Sequence, residues 1–172
     1  MGEAVYYGKL RFKDEAAAKK AFSKIKRFFV QCCRAEDFWQ QHRDREYHRW
    51  ADLRSYRGKK YLVDDEFWAA FAKKFPQVTE YLRETGNDYL DRPYFTGDRA
   101  NGLAGMLDPV GYEDDVEYMA QYDEWIQWHS EVWHMADWDP LISYLERKYD
   151  CEGHWLSDEY LDVWHLVDEE FE

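Results

Sequence analysis

The chain reads as an α+β protein, and three stretches of sequence carry that reading. "AVYYGKLRF" at 4–12 alternates and is rich in β-formers; "EAAAKKAFSKIKRFF" at 15–29 is an amphipathic helix preceded by Asp14; residues 124–161 offer strand, helix and strand in turn. At 172 residues the chain suits one domain carrying a sizeable insertion. Its hydrophobic fraction of 45% is ordinary, but 19% aromatic is high, and 9 Trp, 14 Tyr and 10 Phe supply ample area for a core. A disordered chain is thereby excluded despite a formal charge of −13.

Each element follows from local pattern. In 4–12, Tyr6, Gly8, Leu10 and Phe12 share one strand face, while Val5, Tyr7, Lys9 and Arg11 share the other. Asp14 caps the first helix, whose stripe of Ala18, Ala21, Phe22, Ile25 and Phe29 faces inward and whose outer side carries Lys19, Lys20, Lys24, Lys26 and Arg27. Residues 35–53 predict a second, mostly polar helix, with Phe38, Trp39, His42, Glu46, Trp50 and Leu53 near one side. After the turn "SYRGKK", Asp64 and Asp65 open a short helix; Pro76 ends it and begins another, closed by Gly86. Residues 87–101 read as irregular, "GLAGMLDPV" at 102–110 as a candidate strand, and the acids of 113–117 as a solvated loop.

The most aromatic stretch, "DEWIQWHSEVWHMADWDP" at 123–140, holds four tryptophans and two histidines. It has a helical reading, with Trp125, Trp128, Val132 and Met135 as the stripe. A strand over 124–134 is preferred because it leaves Asp139 as N-cap and Pro140 at the first helical position. The helix "PLISYLERKY" then buries Leu141, Ile142, Leu145 and Tyr149, and "EGHWLSDEYL" at 152–161 is the last strand. The resulting order is β-α-(insertion)-β-β-α-β, the ferredoxin-like pattern with an antiparallel sheet and two helices on one face. The expected organisation is a single domain over 1–172: a core of 1–33 and 101–160, a helical insertion at 34–86 after the first helix, and a tail at 161–172.

Charge is unevenly spread. Residues 1–60 hold 16 Lys and Arg against 8 Asp and Glu, residues 61–172 hold 7 against 28, and 100–146 contains eleven acids and no Lys or Arg. Such a chain repels nucleic acid on average, although a basic face still attracts it locally. The competing account is that the basic part packs against the acidic part, within one chain or in a homo-oligomer. The three cysteines, Cys32, Cys33 and Cys151, show no C-x-x-C spacing, so neither a zinc knuckle nor a thioredoxin site is indicated. Free thiols, no apolar signal core and no membrane-length apolar run lead us to expect a soluble cytoplasmic protein with no membrane association.

The closing run "VWHMADWDPLISYLERKYDCEGHWLSDEYL" at 132–161 resembles the last strand-helix-strand portion of the YubB-type ferredoxin-like domains of phages and plasmids. In both, a Trp-ending strand leads through a proline into an amphipathic helix and an acidic strand. The resemblance implies a mobile-element protein and carries over no catalytic residue.

On a strand, Ile126, Trp128 and Val132 point one way and Trp125, Gln127, His129, Glu131 and Trp133 the other. The ferredoxin-like order makes the first and third strands neighbours, which sets Tyr7 and Arg11 beside that second row. Tyr7, Trp125, His129 and Trp133 are therefore a candidate stacking platform, on the face that RNA-recognition domains use. Against it stand the acidic surroundings and a missing RNP consensus, and the insertion is long enough to cover this face as a second core layer. The spacing of His129, His134, Asp137 and Asp139 matches no metal motif, His42 and His48 fare no better, and no P-loop, G-x-G-x-x-G or G-x-S-x-G occurs. Cys32 follows a run of basic residues, but the negative end of its helix dipole opposes thiolate formation.

The expectation is a non-enzymatic interaction or regulatory protein, without catalytic residue, metal or cofactor, presenting an acidic aromatic surface to a protein partner. The alternative is a single-stranded nucleic-acid binder that uses Lys20, Lys24 and Arg27 of the basic helix together with the aromatic sheet face.

Overall fold

The computed structural model describes residues 4–51, 61–62, 65–84, 94–95, 116, 118–132 and 138–157. In chain order its elements are β1 (Ala4–Arg11), α1 (Glu15–Ala51), β2 (Tyr61–Leu62), α2 (Asp65–Lys74), α3 (Pro76–Glu84), β3 (Tyr94–Phe95), β4 (Ala120–Tyr122), β5 (Trp125–Val132), α4 (Asp139–Tyr149) and β6 (Glu152–Ser157). They fall into two compact units, residues 1–30 with 108–172, and residues 31–107. The chain is α+β.

The first unit is built on a four-stranded sheet in the order β4-β5-β1-β6, antiparallel at every pairing. β1 lies between two strands, so both of its faces have to be specified, and its alternation does this. Tyr6, Gly8, Leu10 and Phe12 are all buried. Their cross-strand neighbours continue the inner layer: Leu10 lies between Ile126 and Gly153, and Gly8 between Trp128 and Trp155. The long aromatic stretch is thus a strand over its first part, as the preferred reading has it.

Gly8 is required by close approach. A Cβ built on it would lie 2.2 Å from Cζ2 of Trp128, so the indole rests directly on the β1 backbone. Trp138 stacks on Trp128 at 5.9 Å between ring centroids, Tyr6 meets Trp138 at 5.2 Å and Trp155 at 5.8 Å, and Phe29 of α1 meets Trp128 edge-on at 5.1 Å. Phe28 touches Tyr144 of α4 at 5.4 Å. These contacts place α1, through Phe28 and Phe29, and α4 on the same face of the sheet. Gly153 admits α4 in the same manner, its missing Cβ leaving room for Cγ2 of Ile142.

Helix starts follow their caps. The Ala17 N–H donates to Oδ1 of Asp14 at 2.8 Å, which satisfies one of the first-turn donors. Of the predicted stripe, Ala18, Ala21, Ile25 and Phe29 are buried and Phe22 half-buried, and Phe28 joins them. At α4 the sequence reading needs correction. Trp138 occupies the N-cap position without a side-chain cap, and Asp139 is the first helical residue. The Asp139 carboxylate is used elsewhere: Nε1–H of Trp155 donates to its Oδ1 at 2.7 Å, tying α4 to β6. Pro140 remains in the first turn, where its missing N–H costs nothing.

A second correction concerns α1. Two helices were expected, near 15–29 and 35–53, but the helix runs unbroken from Glu15 to Ala51. No Gly or Pro lies in that span, and Ile25, Phe28, Cys32 and Ala35 keep the 3–4 spacing across the expected break. A third concerns the strand beside β5, which is Ala120–Tyr122. The candidate strand at 102–110 lies outside the described residues, as do the last residues of "EGHWLSDEYL" and the tail. Of the acidic loop at 113–117 only Val116 is described.

The second unit contains α1 from residue 31 onward, α2 and α3, and the two-residue ribbon in which Tyr61 pairs with Phe95 and Leu62 with Tyr94. Its described core is aromatic: Phe71 and Phe75, one helical turn apart, lie 5.3 Å from each other and 6.2 and 5.7 Å from Phe38. Pro76 starts α3 as its sequence demands, and Val78, Tyr81 and Leu82 are buried.

Because the Trp128 indole fills the space over Gly8, Gly8→Ala is expected to lower the unfolding free energy by about 1–3 kcal/mol. Ser23→Ala, at an exposed position of α1, should change it by under about 0.5 kcal/mol. Urea denaturation of both variants checks this; equal midpoints would show that the contact does not hold the sheet.

Candidate functional site

The sheet face opposite α1 and α4 carries the polar and aromatic side chains that alternation excludes from the core. Reading across β4, β5, β1 and β6, one row is Tyr122, Trp125, Arg11 and Glu152, and the next is Ala120, Gln127, Lys9 and His154. The third row pairs His129 with Tyr7 and Tyr7 with Leu156. Tyr118, two residues before β4, extends this third row. Its ring lies 5.1 Å from His129, tilted by 33°, and the His129 ring is 6.4 Å from Tyr7.

A cavity of about 240 Å³ opens among Tyr7, Gly8, Lys9, Tyr118, Gln127, Trp128 and His129. Tyr118 is 62% exposed and Tyr122 42% exposed, while Tyr7, Trp125 and His129 are half-buried. The Tyr122 hydroxyl donates to Oε1 of Gln127 at 3.2 Å, which fixes the amide at the cavity wall. These residues converge because β4 and β5 form a hairpin with a two-residue turn, in which Asp123 takes a left-handed φ of 49°. The turn is tied down by Nε2–H of Gln121, which donates to the Asp123 carbonyl at 2.9 Å, and by Phe12 N–H, which donates to the Glu124 carbonyl at 2.7 Å.

The first row is covered by Lys9, which reaches over from the second. Nζ of Lys9 sits 4.3 Å from the Trp125 ring centroid and 5.8 Å from that of Tyr122, and Cζ of Arg11 lies 5.5 Å from Trp125. Arg11 also reaches Glu124, with Nε 3.9 Å from Oε1. Lys9 is only 8% exposed, so its ammonium has exchanged much of its water for the aromatic faces.

The residues expected from sequence are therefore dispersed. Tyr7 and His129 are brought together, with Trp125 two positions along β5 and its ring engaged by Lys9 and Arg11. Trp133 lies outside the described residues. Lys20, Lys24 and Arg27 are exposed on α1, on the outer side of the helix layer and across the sheet from Tyr7 and His129. Lys9 and Gln127 were expected on this face but not as site residues, and Tyr118 was not anticipated. The alternation of Tyr118, Ala120 and Tyr122 ahead of the Asp123–Glu124 turn is the signal that marks Tyr118.

Nucleophile chemistry has little support here. Burial pushes the Cys32 thiol well above its ordinary range, with Cys33 and Glu36 adding to the effect. Burial, then Glu146 and Asp150, push Cys151 up to about 12. Its Sγ–H donates to the Leu145 carbonyl at 3.6 Å. Among the described residues no three His, Cys, Asp or Glu side chains gather as a metal site, and no helix is long and apolar enough to cross a membrane.

No protein-family model, curated protein or solved structure matches this chain.

Thiol titration tests the electrostatics around Cys151. With its pKa about 12 against an ordinary 9.0, the thiolate fraction at pH 8 falls about a thousandfold, and labelling by a disulfide reagent should slow accordingly until the protein is unfolded. The folded state keeps a proton that the unfolded chain releases from pH 9.0 upward. Stability should therefore decline between about pH 9 and pH 12. Rapid native labelling of Cys151 would contradict this.

Proposed function

We propose that the chain is a non-enzymatic interaction domain that receives a protein partner on the sheet face opposite its two helices. The observation that carries this reading is the cavity of about 240 Å³ lined by Tyr7, Lys9, Tyr118, Gln127 and His129, with the Tyr118 ring exposed at its rim. Concave aromatic sites with a few oriented polar groups are where binding energy concentrates. The eleven acids of 100–146 supply a field that favours approach of a basic partner. Two features support the finer fold reading, a ferredoxin-like βαββαβ core. The first and third of the four strands lie at the sheet's centre, and both helices pack on one face. Three free thiols support a reducing, cytoplasmic setting.

The nucleic-acid reading has less support, because its two halves lie on opposite sides of the sheet. A single strand stacked on Tyr7 and His129 does not reach Lys20, Lys24 and Arg27 without passing round the edge.

Site-specific photocrosslinking separates the two readings. A photoreactive phenylalanine analogue placed at Tyr118 is expected to capture a protein in the native host, while the same group placed at Lys20 captures none. Capture of nucleic acid from position 118, or equal protein capture from both positions, would sink the proposal.

A further inference from the structure

The geometry points to a cationic side chain, an arginine or lysine from a basic segment of the partner, as the occupant of the Tyr7–Tyr118–His129 cavity. This inference rests on the docking reading above and names the chemistry that the site selects. Three rings border one small space: Tyr118 and His129 with centroids 5.1 Å apart, and Tyr7 6.4 Å beyond His129, tilted to it by 42°. Aromatic faces carry negative potential, and rings set at an angle around a cavity attract a cation. A space of about 240 Å³ accepts a guanidinium or ammonium with part of its stem and excludes a helix or a strand.

Charge decides between a cation and a nucleotide. Glu117 adjoins Tyr118 in sequence, with Glu113, Asp114 and Asp115 just before it, and the hairpin carrying the site turns at Asp123 and Glu124. Acids this near Tyr118 along the chain disfavour a phosphate there and favour a guanidinium. Among the described residues that line the cavity Lys9 is the one Lys or Arg, and its ammonium lies over other rings. Nζ lies over Trp125 and Tyr122, in the row at the turn end of the hairpin, while the cage belongs to the row beyond Gln127. On one strand face successive rows are roughly 7 Å apart. The polar wall of the cavity is Gln127, whose Oε1 accepts from Tyr122 and keeps a second lone pair for a guanidinium N–H.

The test uses the full chain, ¹⁵N-labelled and titrated with three probes: a nine-residue peptide alternating glycine and arginine, the same peptide with citrulline for arginine, and a ten-nucleotide oligo-dT. Citrulline keeps the shape of arginine and removes the charge. The arginine peptide is expected to shift the amide signals of Tyr7, Gln127 and His129, and to bind about tenfold more tightly than the citrulline peptide. Tyr118→Leu should weaken it at least about fivefold and Tyr118→Phe by less than about twofold, since the ring and not the hydroxyl forms the cage. Tyr118 is largely exposed, so neither substitution endangers folding. An arginine peptide indifferent to Tyr118→Leu would reduce the attraction to net charge and overturn the cage. Equal binding of the citrulline peptide at these residues would overturn the cation and leave the docking reading standing. Preferential binding of oligo-dT would overturn both. No response at these residues to any of the three would also remove the cage.

Discussion

The Trp128 indole lying flat on Gly8 is the contact from which the described core of the first unit is organised. It joins the two central strands through the one position in β1 where a ring can touch backbone, and the tightness of that approach sets the register of β5 against β1. Everything on the inner face then follows by contact. Trp138 stacks on Trp128 and thereby fixes where α4 begins; Phe29 meets the same indole edge-on and seats α1; Tyr6 and Trp155 close the cluster. Such aromatic pairs add about 0.5–1.5 kcal/mol each beyond their burial. The arrangement tolerates a loss: the buried Nε1–H groups of Trp128 and Trp138 find no acceptor among the described residues. Leaving a polar group unmatched costs about 1–3 kcal/mol, so the packing of these two rings outweighs that penalty.

Fixing the inner face fixes the outer one, because a strand has only two. Once Gly8 and Trp128 point inward, Tyr7, Lys9, Gln127 and His129 point outward in register. The outer face divides by chemistry. At the turn end, Lys9 and Arg11 are held over Trp125, which lets a strongly acidic chain keep a lysine almost out of water. At the other end, the rings of Tyr7, His129 and Tyr118 border the cavity. The same residue types, aromatic and cationic, are closed on themselves at one end of the face and left facing a space at the other.

Much of this was legible in the sequence, and what was not has physical causes. β1 and β5 follow from period-two alternation, and the strand order expected for the fold sets Tyr7 and Arg11 beside the β5 row, while the register that pairs Tyr7 with His129 and Arg11 with Trp125 comes from packing. The Asp14 cap follows from a side-chain acceptor at the right spacing. The unbroken α1 was not legible. Phe28, Phe29, Val30, Cys32 and Cys33 are weak helix formers that suggest a stop, yet without Gly or Pro the buried periodicity of the helix carries through them. Asp139 looked like a cap because local chemistry favours it, but a bond from Trp155, sixteen residues away, claims its carboxylate. Tyr118 was missed because its alternation with Ala120 and Tyr122 gains meaning only once the hairpin turn at Asp123 is placed.

The charge split takes on a different meaning once the strands are placed. Net charge averages over layers that a partner meets one at a time. In the first unit the basic residues Lys20, Lys24 and Arg27 form the outer side of the helix layer, while the aromatic cavity is lined by Tyr7, Gly8 and Lys9 of β1 together with Tyr118, Gln127, Trp128 and His129 from the stretch 100–146, which has no Lys or Arg. The sheet and its packed core lie between these two surfaces. A ligand drawn to one is therefore not helped by the other, except through the long-range field, which salt screens beyond roughly 10 Å. The basic segment meets the aromatic one on both faces of the sheet, since Lys9 and Arg11 of β1 lie over Trp125, but Lys20, Lys24 and Arg27 stay on the helix side. That geometry makes the acid-flanked aromatic side, and not the sum of the chain's charges, the quantity that a partner of this sheet face has to match.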